Sequence, residues 1–237
     1  MGTHKAAAFI LGIFLFAGFG AFGYFLNKTA VEYKMLDRTV TVKGLSEREY
    51  PADIVIWPIS YRVISNNLQR LYEKLDDSTL LIKNFLRSEG FNATEITVSQ
   101  PLVEDKVANA YNAANITYRF KAKRTITVYS HDINKTRAAM GHIAKLGKQG
   151  VSFSGYEYDN RVEYIFTRLN EVKPQMIEEA TKKAREVAEK FAADSRSKLG
   201  KIKQARQGQF SIMQRDQNNP HIKKVRIVST IEYYLSD

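Results

Sequence analysis

An uninterrupted apolar stretch near the N-terminus constrains this sequence more than any other feature. Residues 6–26 read AAAFILGIFLFAGFGAFGYFL, which is twenty-one residues with no charge and no Asn, Gln or Pro. A helix of that length, rising ~1.5 Å per residue, is about 31 Å long, close to the thickness of the hydrocarbon core of a bilayer. The rest of the chain has no second apolar run of this length. The sequence therefore predicts an N-terminal membrane segment with a stalk, residues 1–36, followed by a soluble region, residues 37–237.

Two fates of this segment fit the sequence: retention as a signal anchor, or removal as a signal peptide. Ala21 and Gly23 provide the small residues of a cleavage site, and Lys5 gives a short basic leader. However, the apolar run continues to Leu26 and exceeds the about 7 to 15 residues usual in a signal peptide. Its six Phe, three Leu and two Ile also outweigh its four Gly on an insertion scale. We favour an uncleaved anchor with the C-terminal region exported, and cleavage with release is the alternative.

The charge of the chain is strongly positive and unevenly distributed. The net charge is +11, and residues 181–226 alone hold thirteen Lys and Arg against four acids. Such an excess suits an anionic lipid or an acidic protein partner, and nucleic acid is the least expected partner. A solvated helix face with basic strand edges is the simpler explanation of the same residues. The residues selected as a candidate surface for an anionic partner are Lys182, Lys183, Arg185, Lys190, Arg196, Lys198, Lys201 and Lys203.

Local patterns beyond residue 37 predict strands interspersed with a few helices. Alternating or continuous apolar residues predict strands at 39–45, 54–64, 95–103, 116–129, 151–158, 161–166, 202–213 and 225–235. Capping residues and helical periodicity predict helices from Asn66 or Asn67 to Gly90, from Asp132 to Leu146, and from Pro174 to Leu199. Pro58 predicts a bulge or an edge in its strand, because proline donates no ladder hydrogen bond.

This order of elements predicts an α+β fold with antiparallel sheets, since the helices are too few for a doubly wound parallel sheet. Residues 53–158 follow the β-α-β-β-α-β order of a ferredoxin-like lobe. Residues 37–52 together with 159–237 are expected to form a second lobe. In the last helix, alanines at every fourth position from Ala180 predict a close approach to a sheet. Residues 105–115 are expected to form a mobile loop, and Asp159 with Asn160 a bend.

No arrangement of residues in the sequence predicts catalysis, a cofactor or a metal. The absence of cysteine excludes thiolate chemistry, disulfides and Cys-ligated zinc. Ser195 and Lys198 match the S-x-x-K spacing of some hydrolases, but a basic helix end would leave that lysine solvated. Residues 141–149 fail the phosphate-loop pattern in glycine spacing and at Gln149. The four histidines show no metal-ligand spacing. We therefore expect a non-enzymatic protein without a metal or cofactor.

Three stretches together resemble a known family. These are TVTVKGLSEREYPADIVI after an export-like segment, the helix EEATKKAREVAEKFAADSRSKLG, and the closing VRIVSTIEYYL. Over residues 39–235 they resemble the SIMPL-domain family (DUF541), bacterial envelope proteins of the oxidative-stress-defence and outer-membrane-immunogen type. The resemblance implies a periplasmic α+β domain and, in some members, ring-like or channel-like assemblies. It carries over no catalytic residue, and we interpret Pro51, Asp53, Leu199 and Gly200 as structural.

The combined expectation is a single-pass protein of the bacterial inner membrane, anchored by residues 6–26, with its domain in the periplasm. We expect it to act by homo-oligomeric assembly or by binding, as an envelope scaffold or a component of protection against oxidative stress. A ring is the form of assembly that the resemblance implies. The alternative is a basic binding module for an anionic lipid, a nucleic acid or an acidic protein.

Overall fold

The computed structural model describes residues 2–36, 38–108, 116–154 and 161–236. The chain divides into two compact units. The terminal unit comprises Met1–Glu47, Lys173–Ser211 and Arg226–Asp237, and the central unit comprises Arg48–Val172 and Ile212–Val225. The residues predicted to form the ferredoxin-like lobe, 53–158, all belong to the central unit. That unit also includes residues 48–52, 159–172 and 212–225, which were predicted to belong to the second lobe.

The chain begins with one long helix, α1, at Gly2–Leu36. Its segment Leu11–Thr29 has the length and composition of a helix that crosses a membrane, a property that signal sequences share. None of this segment is buried by the rest of the protein. Nothing in the fold therefore shields its apolar side chains.

An antiparallel sheet forms the central unit. Its middle strands are β2 (Ile54–Ser65) and β5 (Phe120–Ser130), paired from Val55 with Ser130 to Ser65 with Phe120. The remaining strands are β3 (Ile96–Val98) and β4 (Leu102–Asp105), which pair with β5, and β6 (Glu163–Ile165), which pairs with β2. The spatial order β3-β5-β2-β6, with helices after β2 and β5, gives the ferredoxin-like arrangement.

Three helices cover one face of this sheet: α2 (Leu68–Ser88), α3 (Ile133–His142) and α4 (Ala144–Lys148). Alternate residues of β2 point toward them and share their apolar core. This alternation explains why the strand is largely apolar on one side only. The buried core includes Trp57, Ile59, Tyr61, Leu71, Leu75, Ile82, Leu86, Ala122, Ile126, Val128, Ala139 and Leu146.

The predicted helix signals operate as expected at three ends. The side-chain oxygen of Asn67 accepts a hydrogen bond of 3.0 Å from the Arg70 amide, and that of Asp132 accepts one of 2.8 Å from the Lys135 amide. Gly90 has a φ of +87°, a conformation that glycine adopts without strain. These caps depend on residues only a few positions apart in the chain, and for that reason the sequence alone predicted them.

The second sheet has the strand order β1-β9-β7. Its members are β1 (Thr39–Pro51), β9 (Ile222–Ser236) and β7 (Lys198–Gln207), and β8 (Ser211–Gln214) also pairs with β9. Helix α5 (Leu169–Asp194) provides buried alanines, including Ala184 and Ala188. They share one apolar core with Val42 and Ile231 of this sheet. The alanine spacing thus gives the close helix-to-sheet contact that was predicted.

The predicted bounds of α5 are wrong at both ends. The helix begins at Leu169 and keeps Pro174 in its interior, although Pro174 was expected to begin it. It ends at Asp194, because Arg196 adopts a φ of 57° and the Ser197 amide donates a 2.8 Å hydrogen bond to the Ala192 carbonyl. Leu199 and Gly200 therefore lie in β7, not at a helix end.

Several other predicted elements are divided in the structure. The strand 95–103 becomes a 3-10 turn followed by β3 and β4, with Pro101 between the strands. The helix 132–146 becomes α3 and α4, and the strand 202–213 is split between β7 and β8. The predicted loop at 105–115 and the bend at 159–160 fall mainly or wholly outside the described residues, as do the last residues of the strand 151–158.

The bulge predicted at Pro58 is absent from the described strands, because the register between β2 and β5 is continuous there. β2 is not an edge strand as a whole, since β6 pairs with it at Ile54–Ile56, but that pairing ends before Pro58. The Ser60 carbonyl and the Arg62 amide both bond to residues on the side away from β5. By the two-residue period of a strand, the nitrogen of Pro58 points to that side too. Its missing N–H therefore leaves the β2–β5 ladder intact.

Candidate functional site

The most conspicuous exposed surface is the apolar part of α1, which is apolar on all sides of the helix. Large side chains along the helix are uncovered, and Phe16 is 85% exposed and Phe14 72% exposed. A monomeric soluble protein rarely leaves a continuous apolar patch of this kind in water. The surface is therefore suited to contact with lipid or another protein.

The candidate basic residues lie in three places in the terminal unit. Lys182, Lys183, Arg185 and Lys190 project from α5, Arg196 lies in the turn after it, and Lys198, Lys201 and Lys203 lie on β7. All eight are exposed. At about 100° per residue, the four on α5 do not share one helix face: Lys183 and Lys190 lie on one flank, Arg185 on the other, and Lys182 between them.

Several of these residues make contacts within the protein, Lys198 among them. The Lys183 ammonium lies 2.7 Å from Glu179, and that of Lys203 lies 3.4 Å from Glu232. The Arg185 guanidinium lies 6.0 Å from the centre of the Tyr233 ring. Within the described part of the chain, Lys182, Lys190, Arg196 and Lys201 form no such side-chain pair. The basic surface is thus partly neutralised, and its unpaired cations are dispersed.

The cations of β7 have a structural explanation. This strand lies at the end of the described strand order, and its pairing with β9 is irregular between Leu199 and Ile202 and between Ile202 and Gln204. Lysines and local irregularities are two means by which proteins prevent an edge strand from pairing with another chain. Lys201 and Arg206 therefore suit protection of this edge as well as they suit binding.

The residues weighed for catalysis do not form a site. The Ser195 hydroxyl donates to the backbone carbonyls of Phe191 and Ala192, at 2.9 and 3.0 Å, which is a helix-end contact. Lys198 lies beyond the end of that helix, in β7. Among the residues that the structure describes, no group of three His, Asp or Glu residues is placed to hold a metal ion.

Asp53 is the most heavily bonded residue of the P-x-D turn. Its carboxylate accepts hydrogen bonds from the amide and hydroxyl of Thr167, each 3.0 Å long, and from Arg168 at 3.3 Å. Partial burial acts to raise the pKa of Asp53, but these hydrogen bonds and the Arg168 charge outweigh it, so the pKa lies below its ordinary value. The charged carboxylate thereby connects the start of β2 to the residues that precede α5.

A second cationic surface, absent from the sequence-based selection, lies in the central unit. We call it the β2 cleft: a cavity of about 460 Å³ lined by Arg62, Val63, Ile64, Lys74, Lys106, Lys121, Gly150 and Ser152. Its four cations come from β2, α2, the residues after β4, and β5. Four cations spread over about 60 residues gave no local sequence pattern that groups them.

The two sheets and their helices define an α+β domain that follows an exposed N-terminal apolar helix. A family model, SIMPL, described as a protein of unknown function (DUF541), matches residues 40–227. The chain belongs to the SIMPL family, because this match covers most of its length. The matched region begins in β1 and ends in β9, and so does not include α1. No curated protein matches the sequence.

Proposed function

We propose that this SIMPL protein is held in the bacterial inner membrane by α1, with its α+β domain in the periplasm, and acts through assembly or binding and not through catalysis. The observation that carries this proposal is the complete exposure of Leu11–Thr29. Lipid is the solvent that such a helix fits, because each strongly apolar residue at its centre favours insertion by roughly 0.3 to 0.6 kcal/mol.

Retention of the helix is favoured over cleavage by its continuity. Helix α1 runs without a break through Ala21 and Gly23, the positions of the cleavage-site pattern, and ends only at Leu36. A cleaved signal peptide has an apolar core of about 7 to 15 residues, whereas this apolar segment is nineteen residues long. The anchor is therefore the proposed fate.

Anchoring supports assembly by a simple physical route. Tethering many copies to one membrane face raises their effective concentration, so that weak contacts between domains suffice for a homo-oligomer. A ring-like arrangement is the form that the family resemblance suggests. As a scaffold or a component of protection against stress, the chain would work without thiol chemistry, since it has no cysteine.

The decisive experiment is to determine the N-terminus and the mass of the protein purified from washed bacterial membranes. We expect the N-terminal sequence to begin within residues 1–5 and the particle in mild detergent to contain several chains. A monomer that still begins within residues 1–5 would exclude the proposed assembly but not the proposed membrane anchor. A released protein that begins near Tyr24 would overturn the anchor, and if it is also monomeric it would overturn both.

A second candidate function is the binding of an anionic partner by the terminal unit. The observation that favours it is that Lys182, Lys190, Arg196 and Lys201 remain exposed and without side-chain partners among the described residues. An anionic lipid surface is the nearest partner for an anchored domain, and an acidic protein is the next. Binding of this kind weakens steeply as salt rises, because the contact releases counterions.

This second function is tested with vesicles that contain phosphatidylglycerol and residues 38–237 fused to a soluble carrier. We expect the change of Lys182, Lys190, Arg196 and Lys201 to Gln to remove vesicle binding, whereas the same change at Lys83 and Lys145 in the central unit should have little effect. Binding that is unaffected by both sets of changes or by salt would exclude the basic surface as the cause.

A further inference from the structure

We infer that the β2 cleft binds a compact anion that carries phosphate groups, held by Arg62, Lys74, Lys106 and Lys121. The cleft belongs to the central unit alone. The inference is therefore independent of the proposed anchor, the assembly and the basic surface of the terminal unit.

Backbone pairing fixes the positions from which three of these cations project. Arg62 and Ile64 are alternate residues of β2 and share one face, and Lys121 of β5 pairs directly with Ile64. The Lys106 amide donates a 2.8 Å hydrogen bond to the Arg119 carbonyl just before β5 begins. A site built on paired strands holds its charges in place better than one built on loops.

The rim of the cleft is fixed in the same way. The Arg62 amide donates a 2.9 Å hydrogen bond to the Ser152 carbonyl, which places Ser152 beside the β2 strand. Gly150 also lines the cleft and has a φ of +91°, a conformation that residues with a Cβ rarely adopt. Lys74 comes from a separate element, α2. Four different segments of the chain therefore contribute one cation each to the lining of this cavity.

The acidic residues nearby leave most of this charge uncompensated. Glu104 approaches the Lys121 ammonium only to 4.0 Å. Asp105 is engaged elsewhere, because the Arg119 guanidinium donates to its carboxylate at 3.2, 3.1 and 2.9 Å. Arg62, Lys74 and Lys106 form no salt bridge with any residue that the structure describes. Four cations around one cavity repel one another, and an anion between them removes that repulsion.

Size and donor type narrow the class of ligand. Pockets for small molecules are roughly 300 to 1,000 Å³, and a cavity of about 460 Å³ lies within that range. Arginine can donate two parallel hydrogen bonds to a phosphate, and lysine serves as a point charge for it. Val63 and Ile64 add an apolar part to the lining. A ligand with two or more phosphate charges and a small organic group, or a phospholipid headgroup, shares this chemistry.

The test uses the full-length chain in a non-ionic detergent and inorganic pyrophosphate as the probe, measured by calorimetry at low and moderate salt. We expect saturable binding of one pyrophosphate per chain. The double variant Lys106→Gln with Lys121→Gln should bind about tenfold more weakly for each cation removed. The single variant Arg62→Gln should weaken binding about tenfold as well.

The matched control is Lys182→Gln with Lys190→Gln, which removes the same charge from the terminal unit. It should change the affinity less than about threefold, since neither lysine lines the cleft and salt screens exposed charges that do not contact the ligand. Each variant is checked by thermal unfolding. Lys74→Gln, at an exposed position of α2, serves as an additional cleft variant that leaves the sheet unchanged. Equal losses in the cleft and control variants, more than one site per chain, or no saturable binding would overturn the inference.

Competition then identifies the source of the phosphate. If vesicles containing phosphatidylglycerol displace pyrophosphate from the wild-type chain but vesicles of phosphatidylcholine do not, the cleft takes an anionic lipid headgroup. If neither displaces it, the ligand is a soluble phosphate compound. Both results support the cleft as a phosphate site, and they separate a role at the membrane surface from one in solution.

Discussion

Gly44 of β1 lies so close to α5 that a Cβ atom on it would be 1.8 Å from the carbonyl oxygen of Ala180 and 2.6 Å from the Ala184 nitrogen. The obstacle is backbone on both counts and cannot rotate away. The glycine and the fully buried alanines of the helix are therefore two halves of one close contact.

Replacement of Gly44 by alanine should strongly destabilise the protein. The new methyl group must push the helix from the sheet and open the packing around Ala184, at a cost of about 3 kcal/mol or more in the free energy of unfolding. Chemical denaturation measures this loss. The control is Gly141→Ala in α3, where an added Cβ has no atom within 4 Å; it should be neutral or stabilising by up to about 1 kcal/mol. Equal stability of the two variants would contradict the contact.

Asp53→Asn should lower stability at neutral pH and remove part of the sensitivity to acid. The folded-state pKa of Asp53 is below its ordinary value of 3.8. The carboxylate thus contributes stability that is fully present above the unfolded-state pKa and is lost as the pH falls through the folded-state pKa. We expect a difference of about 1 kcal/mol between wild type and variant at pH 7 that shrinks below about pH 4.

Unfolding midpoints measured from pH 7 to pH 2.5 test this dependence. Asp77→Asn is the matched control, because Asp77 is an exposed residue of α2 with no side-chain partner within the described ranges. A difference between wild type and Asp53→Asn that stays constant at all pH values would show that the charge of Asp53 is not what stabilises the turn.

Charges within α1 should prevent its retention by membranes. Ile13→Arg with Phe16→Arg places two guanidinium groups in the exposed apolar segment, and each costs roughly 2.5 to 3.5 kcal/mol near the bilayer centre. The fraction of protein that remains in membranes after a carbonate wash should fall severalfold. Ile13→Leu with Phe16→Leu preserves the apolar surface and should behave as wild type. Unchanged retention of the arginine variant would rule out a spanning α1.

Removal of positive charge from β7 should promote self-association. Lys201→Ile with Arg206→Ile leaves an apolar strand at the end of the described sheet, so edge-to-edge pairing becomes favourable. Light scattering at 37 °C should rise faster for this variant than for wild type. Lys182→Ile with Lys190→Ile makes the same change of charge on a helix and should rise less. If both pairs aggregate alike, net charge and not edge protection governs solubility.

Features that depend on neighbouring residues were predictable from the sequence. The apolar length of residues 6–26, the caps at Asn67 and Asp132, and the alanine spacing of α5 each reflect local geometry, and α1, α2 and α5 all occur. The α+β class followed from the order of predicted elements, whereas the SIMPL family was identified from the resemblance of three stretches, and the family match confirms it. The basic surface was also a sequence-based selection, and the structure disperses its cations over α5, a turn and β7.

The tertiary structure alone decided where elements end and which distant side chains meet. Gly200 indicated a helix end in the sequence. In the structure, pairing of Leu199 with Leu235 of β9 competes with helix extension, so that Leu199 and Gly200 lie in β7. Arg62 and Lys121 both line the β2 cleft because β2 and β5 pair in one register. That register is set by the packing of buried side chains from both strands in the core. Sequence periodicity specifies which face of an element is buried, whereas the register between elements depends on packing that no local pattern contains.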